Sequence, residues 1–123
     1  MAMDRDSLKS RTKQFALRII SLSEKLRGQG GSASIIAKQI LRSGTSVGAN
    51  YRAACLAKSD NDYLHKLKIC EEEADETCYL LELLIDSGLV RREMLEKLYD
   101  ESRQLCAITL LLLKRSGGIW VSS

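Results

Sequence analysis

Residues 59–88 read SDNDYLHKLKICEEEADETCYLLELLIDSG. Tyr63, Leu67, Cys70, Ala74, Cys78, Leu81 and Ile85 recur in this stretch at spacings of three and four, the period that lays one apolar stripe along an α-helix. Ser59 offers an N-cap, with Asp62 three residues on as the weaker partner of a capping box. Gly88 supplies the stop. The spacing predicts a helix from about residue 60 to residue 87.

Working outward, three further stripes appear. Leu8, Phe15, Ile19, Leu22 and Leu26 predict a first helix from about residue 4 to 27, with Lys9, Lys13, Lys25 and Arg27 largely off the stripe. Gly28-Gln29-Gly30-Gly31-Ser32 breaks it. Ile36, Ile40, Val47, Tyr51 and Ala54 predict a second helix over about 33–57, with Ser32 or Ser34 as its cap. Met94/Leu95, Leu98, Ser102, Leu105, Thr109 and Leu112 predict a fourth over about 91–116, closed by Gly117-Gly118. Helices of this length joined by short loops pack antiparallel, so the expected fold is all-α: an up-down-up-down four-helix bundle formed by residues 1–123 as one domain.

Composition agrees. The chain of 123 residues has 45% apolar and 28% charged residues, few aromatics and no proline. That is enough for one real core, well above a disordered chain, and free of obligatory helix breakers. No apolar run approaches the roughly 18 residues of a membrane span. The first residues, Met1-Ala2-Met3-Asp4-Arg5-Asp6, carry acids and lack the apolar core of a secretion signal. The expectation is a cytoplasmic domain with no membrane partner.

Candidate chemistry is sparse. Cys55, Cys70, Cys78 and Cys106 lack the close spacing of a metal knuckle, and His65 is the sole histidine. Each cysteine sits among apolar residues at helical spacing, the pattern of a small buried hydrophobe in a reducing compartment. The acidic run Glu71-Glu72-Glu73-Ala74-Asp75-Glu76 raises a di-iron carboxylate bundle, but that site needs two Glu-x-x-His units and the chain offers one relative, Asp62-x-x-His65. No nucleophile elbow and no glycine-rich loop after a strand can be assembled. The expectation is a non-enzymatic protein with no metal and no cofactor. Tyr63 and His65 can stack on a base, although Tyr63 lies on the apolar stripe.

Two packing features stand out. Ser43-Gly44-Thr45-Ser46-Val47-Gly48-Ala49-Asn50 is an unusual run for a helix interior, where each glycine costs roughly 1 kcal/mol relative to alanine. It predicts close approach of another helix, with Ser43, Ser46 and Asn50 as a polar network alongside Glu72, Glu73 and Glu76. Leu105–Leu113 is apolar on every face. A bundle buries about half of a helix surface, so Ile108, Leu111 and Leu112 need another cover, and self-association is expected through them.

The net charge of +3 hides an asymmetry: residues 1–58 hold 11 Lys/Arg against 3 Asp/Glu, and residues 59–123 hold 8 against 13. Either the basic half meets nucleic acid, or the two halves attract each other within or between subunits. In the second case Arg42 and Arg52 are expected to pair with Glu72, Glu73 and Glu76.

The motifs Ser43-Gly44-Thr45-Ser46-Val47-Gly48-Ala49-Asn50-Tyr51-Arg52-Ala53-Ala54, Ser59…Asp62-Tyr63, Lys66-Leu67…Glu72-Glu73-Ala74-Asp75-Glu76-Thr77 and Tyr79-Leu80-Leu81-Glu82-Leu83-Leu84 resemble the bacterial 23S rRNA intervening-sequence proteins, sometimes labelled ribosomal proteins. The likeness spans about residues 8–115. It implies an up-down bundle assembling as a ring-like homopentamer without enzymatic activity. It also implies kinship with accessory proteins of diversity-generating retroelements, basic pentamers that bind nucleic acid and a reverse transcriptase. Many members of the rRNA group carry Asn-x-x-Glu-Gly in helix two, whereas here Asn50 is followed by Tyr51, Arg52 and Ala53, the mark of another branch.

The reading is therefore a homo-oligomeric bundle that binds structured RNA or DNA through Lys9, Arg11, Lys13, Arg18, Lys38, Arg42, Arg52 and Lys58 by phosphate contact. Its rival is a scaffold that docks a partner protein such as a reverse transcriptase and has little affinity for nucleic acid.

Overall fold

The four stripes become four helices because each finds an apolar face to bury. In the computed structural model, which describes residues 4–117, α1 spans Arg5–Arg27, α2 Gly31–Cys55, α3 Asp60–Asp86 and α4 Arg92–Gly117. The chain is all-α among the described residues, a four-helix bundle in which α1 packs on α2, α2 on α3 and α3 on α4, with α4 returning to α1 along a much shorter contact. The tail 119–123, apolar by sequence, lies outside the described residues.

Local chemistry sets the ends. The Ser7 N–H donates to the Asp4 carboxylate at 2.7 Å, and the Asp62 N–H donates to Ser59 Oγ at 3.1 Å, so α1 and α3 each begin on a side-chain cap. α2 differs from expectation. It starts at Gly31 rather than near residue 33, Ser32 and Ser34 lie inside it, and its N-cap Gly30 makes no side-chain cap bond. The backbone turns through positive φ at Gly30 (71°) and Gly31 (56°), which glycine alone adopts without strain. The backbone makes the turn here, and α2 begins without a capping hydroxyl.

The core follows the predicted period with shifts at its margins. Phe15, Ile19, Ile40, Val47, Leu67, Leu81, Leu84, Leu105 and Leu113 are fully buried. Leu22, Ile36, Tyr63, Ile85 and Leu112 pack half-buried against the core. On α4 the stripe runs through Leu95 and Leu113, leaving Met94 exposed.

The α1–α2 seam is close-packed at two glycines. A Cβ built on Gly44 would lie 2.7 Å from Ile19 Cγ2, and one on Gly48 would lie 3.0 Å from Thr12 Oγ1. The absent side chains are the space that Ile19 and Thr12 occupy. Thr12 turns its hydroxyl back onto the Leu8 and Lys9 carbonyls at 3.0 Å each, and Ser23 donates across the seam to the Ala37 carbonyl at 3.1 Å. No buried side-chain nitrogen or oxygen is left unpartnered among the described residues, so the hydrogen bonds of this seam offset the cost of burying its hydroxyls.

Replacing Gly44 by alanine sets a gain of about 1 kcal/mol in helix propensity against an overpacking cost of about 1–3 kcal/mol. Gly44→Ala is expected to lower the unfolding free energy by up to about 2 kcal/mol in urea titrations, and Gly48→Ala by less, because its neighbour stands farther off. In an Ile19→Ala background the Gly44→Ala penalty should shrink. A stabilised Gly44→Ala protein would show that close approach does not hold this seam together.

Candidate nucleic-acid interface

The cations named from sequence fall into three groups. Lys13, Arg18, Lys38, Arg52 and Lys58 are exposed, and Lys9 is half-buried. Arg11 and Arg42 are engaged. The Arg42 guanidinium donates to Glu73 at 2.9 and 3.2 Å and to Glu76 at 2.8 and 2.9 Å, and these hydrogen bonds, Glu73 first, push its pKa up. Arg11 donates to both Glu101 oxygens at 2.7 and 2.8 Å and to Gln104 at 2.6 Å. Among the described residues neither Arg52 nor Glu72 enters an ion pair. Both engaged arginines belong to the basic half and all their carboxylate partners to the acidic half, so part of the charge asymmetry is spent inside the bundle.

The polar run of α2 divides likewise. Thr77 of α3 donates to Ser43 Oγ at 2.9 Å, a buried bond joining α2 to α3. Ser46 donates to the Arg42 carbonyl at 2.6 Å and Asn50 to the Ser46 carbonyl at 2.9 Å, so these two side chains bond within α2. Cys70 adds a second α2–α3 link, its thiol donating to the Val47 carbonyl at 3.2 Å. Burial pushes that thiol up to about 12.

The α1/α4 seam is built differently at its two ends. Arg11 clasps Glu101 and Gln104 with its guanidinium only about one-fifth exposed. Two turns along α1, Arg18 and Lys25 recur on the same side of the helix, and no carboxylate of α4 pairs with either. There the helices part around a groove of about 470 Å³, lined by Arg18, Lys25 and Arg91 above an apolar floor that includes Leu22, Val90 and Leu98. Lys25 and Arg91 are absent from the sequence-based set. Lys25 was legible as seven residues from Arg18, whereas Arg91 comes from the acidic half and reaches the groove through the α3–α4 turn. Lys58 lines a separate hollow of about 530 Å³ at the opposite end, with Arg5, Asp60 and Tyr63. Arg5 sits 5.8 Å from the Tyr63 ring centroid, which covers one face of that ring. His65 is exposed beside Asn61 and Lys68.

Of the residues expected to meet another subunit, Leu111 is 44% exposed, while Ile108 and Leu112 are half-buried. Leu110, Leu17 and Ile20 add exposed apolar surface. Among the described residues no three His, Cys, Asp or Glu side chains cluster as a metal site, and no helix is long and apolar enough to cross a membrane.

A family model described as 23S rRNA-intervening sequence protein matches residues 7–110. The chain belongs to that family. A crystal structure of a protein of unknown function from the S23 ribosomal protein family of Bacteroides thetaiotaomicron is 38% identical, covers 91% of this chain and 99% of its own, and superposes with a TM-score of 0.84. No protein with a curated description matches the sequence. The matched span of this family member takes in all of α2 and α3 and most of α1 and α4, so the glycine seam and both arginine clasps lie inside it.

The clasp on Arg11 is shielded and bidentate, which places it above an exposed pair worth a few tenths of a kcal/mol. Glu101→Gln is expected to cost about 1–2 kcal/mol in urea unfolding, and Glu76→Gln less than about 0.5 kcal/mol because Arg42 keeps Glu73. Equal costs would mean that the α1/α4 seam gains nothing from shielding.

Proposed function

We propose that the protein is a non-enzymatic homo-oligomer, a pentamer, that binds structured nucleic acid, with RNA as its expected ligand. The carrying observation is that Lys13, Arg18, Lys38, Arg52 and Lys58 stand exposed with no carboxylate partner among the described residues. Exposed, unpaired cations can exchange condensed counterions for phosphate contacts, which gives affinity with a steep salt dependence. Family membership supports RNA over DNA, since the family is described by an rRNA intervening sequence. With few aromatic side chains and the Tyr63 ring partly covered, recognition rests on shape and charge rather than base stacking. The exposed apolar residues of α1 and α4, including Leu17 and Leu111, support self-association.

One observation favours the second reading, a scaffold for a partner protein. The Arg18–Lys25–Arg91 groove has an apolar floor, which suits an acidic amphipathic segment such as one presented by a reverse transcriptase. This reading carries the kinship with retroelement accessory proteins. It predicts that nucleic-acid affinity is weak and that Met94→Glu, at an exposed residue of the groove, abolishes partner capture while Lys38→Glu does not.

The two readings separate in fluorescence anisotropy of the purified oligomer with a structured RNA and a duplex DNA. If about four phosphates are contacted, raising salt from about 50 to about 200 mM should weaken RNA binding on the order of 50- to 150-fold. Lys13→Glu/Arg18→Glu should remove most of the affinity while light scattering still reports the same assembly. Absence of binding at the lower salt would reject the nucleic-acid reading and leave the scaffold.

A further inference from the structure

Neither reading uses the cysteines, yet two of them meet. Cys78 on α3 is buried and Cys106 on α4 is half-buried, and both line one groove of about 310 Å³ between these helices, with Asp75, Tyr99 and Arg103 at its sides. Ser102 and Cys106 are four residues apart and so lie one above the other on α4. Cys78 faces this pair: its Sγ is 2.9 Å from Ser102 Oγ, and Cys106, one turn further along α4, lines the same groove. The Cys106 thiol also points at the Glu71 carbonyl at 4.0 Å. The two cysteines therefore meet at one groove open to solvent, on helices that the rest of the seam keeps in register.

We propose that Cys78 and Cys106 form an oxidisable dithiol that closes into a disulfide between α3 and α4 when the protein meets a hydroperoxide. Cys78 is the attacking sulfur. Hydrogen bonding from Cys106 is the largest influence on it, with help from Ser102 and the Arg103 charge, and together these outweigh burial and the repulsion of Asp75 to favour its thiolate. The same hydrogen bond, with burial, holds Cys106 protonated. The Cys78 thiolate attacks one peroxide oxygen, the O–O bond breaks, and the product is a Cys78 sulfenic acid plus hydroxide or alkoxide. The Cys106 sulfur then displaces the sulfenic oxygen, which leaves as water after taking up the thiol proton. In sum, two thiols and one hydroperoxide give one disulfide, one water and the alcohol, or a second water when the oxidant is hydrogen peroxide. Closure brings the two sulfurs to about 2.05 Å across the groove.

The other two cysteines supply internal controls. Cys70 is fully buried, its thiol occupied by the Val47 carbonyl and pushed up to about 12. Cys55 lies at the α2 terminus, away from the groove. The experiment uses the intact oligomer exposed to sub-millimolar hydrogen peroxide. The expected result is a mass loss of about 2 Da per chain, a fall from four free thiols to two, and a peptide pair joined through Cys78 and Cys106 in a non-reducing digest. Cys55→Ser/Cys70→Ser should retain the loss, and Cys78→Ala and Cys106→Ala should each abolish it. Should an alanine variant fold poorly, differential alkylation of the wild-type protein reads the same point: Cys78 should react at least about tenfold faster than Cys70. Oxygen adducts without paired thiol loss, a link through Cys55 or Cys70, a covalent dimer between chains, or no reaction would each overturn the proposal.

Discussion

The approach of α1 to α2 at Gly44 and Gly48 is the constraint on which the rest of the bundle hangs. Helix pairs normally stand 8–10 Å apart, the distance being set by the side chains at the contact. With no side chain at these two positions, Ile19 and Thr12 drop into the surface of α2, and the pair becomes one ridge-in-groove unit. α2 then offers its opposite flank to α3, again through small groups: Ser43 accepts from Thr77, and the Val47 carbonyl accepts from Cys70. α2 is thus gripped on both sides at close range, and α4 is added to α3. The ring of four helices must close between α1 and α4, where the facing residues are leucines rather than glycines. That seam is the loosest of the four, with α1 and α4 approaching each other over a much shorter length than the other neighbouring pairs do.

The loose seam explains where charge is left over. At its Arg11 end the gap is bridged by a long side chain reaching two acceptors. At its Arg18 end α4 supplies Met94, Leu95 and Leu98, none of which can accept a hydrogen bond of useful strength. Arg18 and Lys25 therefore remain hydrated above an apolar floor, their stems covering carbon while their heads stay in water. The α2–α3 side shows the opposite outcome, since Arg42 meets two carboxylates. Charge balance over whole halves of the chain cannot separate these cases; the register of each helix pair does.

This is also the measure of what the sequence discloses. The all-α bundle was legible because the period of Leu67, Cys70, Ala74, Cys78 and Leu81 survives without interruption, and because the glycine pair in α2 admits few uses besides close packing. The start of α2 was less legible: serines at 32 and 34 look like caps, but a backbone at positive φ at Gly30 and Gly31 had already made the turn. For the candidate site, the cations could be named and their fates could not. Arg11 and Arg42 look like Arg18 and Arg52 in one dimension, and only the partner helix decides which meets an acid. The Cys78–Cys106 juxtaposition was wholly hidden, because two positions 28 residues apart on separate helices share no periodicity that a single stripe could reveal.

The number of exposed, unpaired cations bears on what assembly would achieve. The five of these named from sequence, scattered over α1, α2 and the turn after it, make only a few simultaneous phosphate contacts, and each contact is weakened by ordinary salt. In the proposed pentamer the same few contacts recur around a ring, and once one subunit is engaged the next binds at the high effective concentration set by their spacing. Affinity then depends on a nucleic acid long and folded enough to reach several subunits, which selects for structure without reading sequence. The apolar residues exposed on α1 and α4 and the cations of α1 would on this argument act together: the first build the ring, and the ring makes the second sufficient.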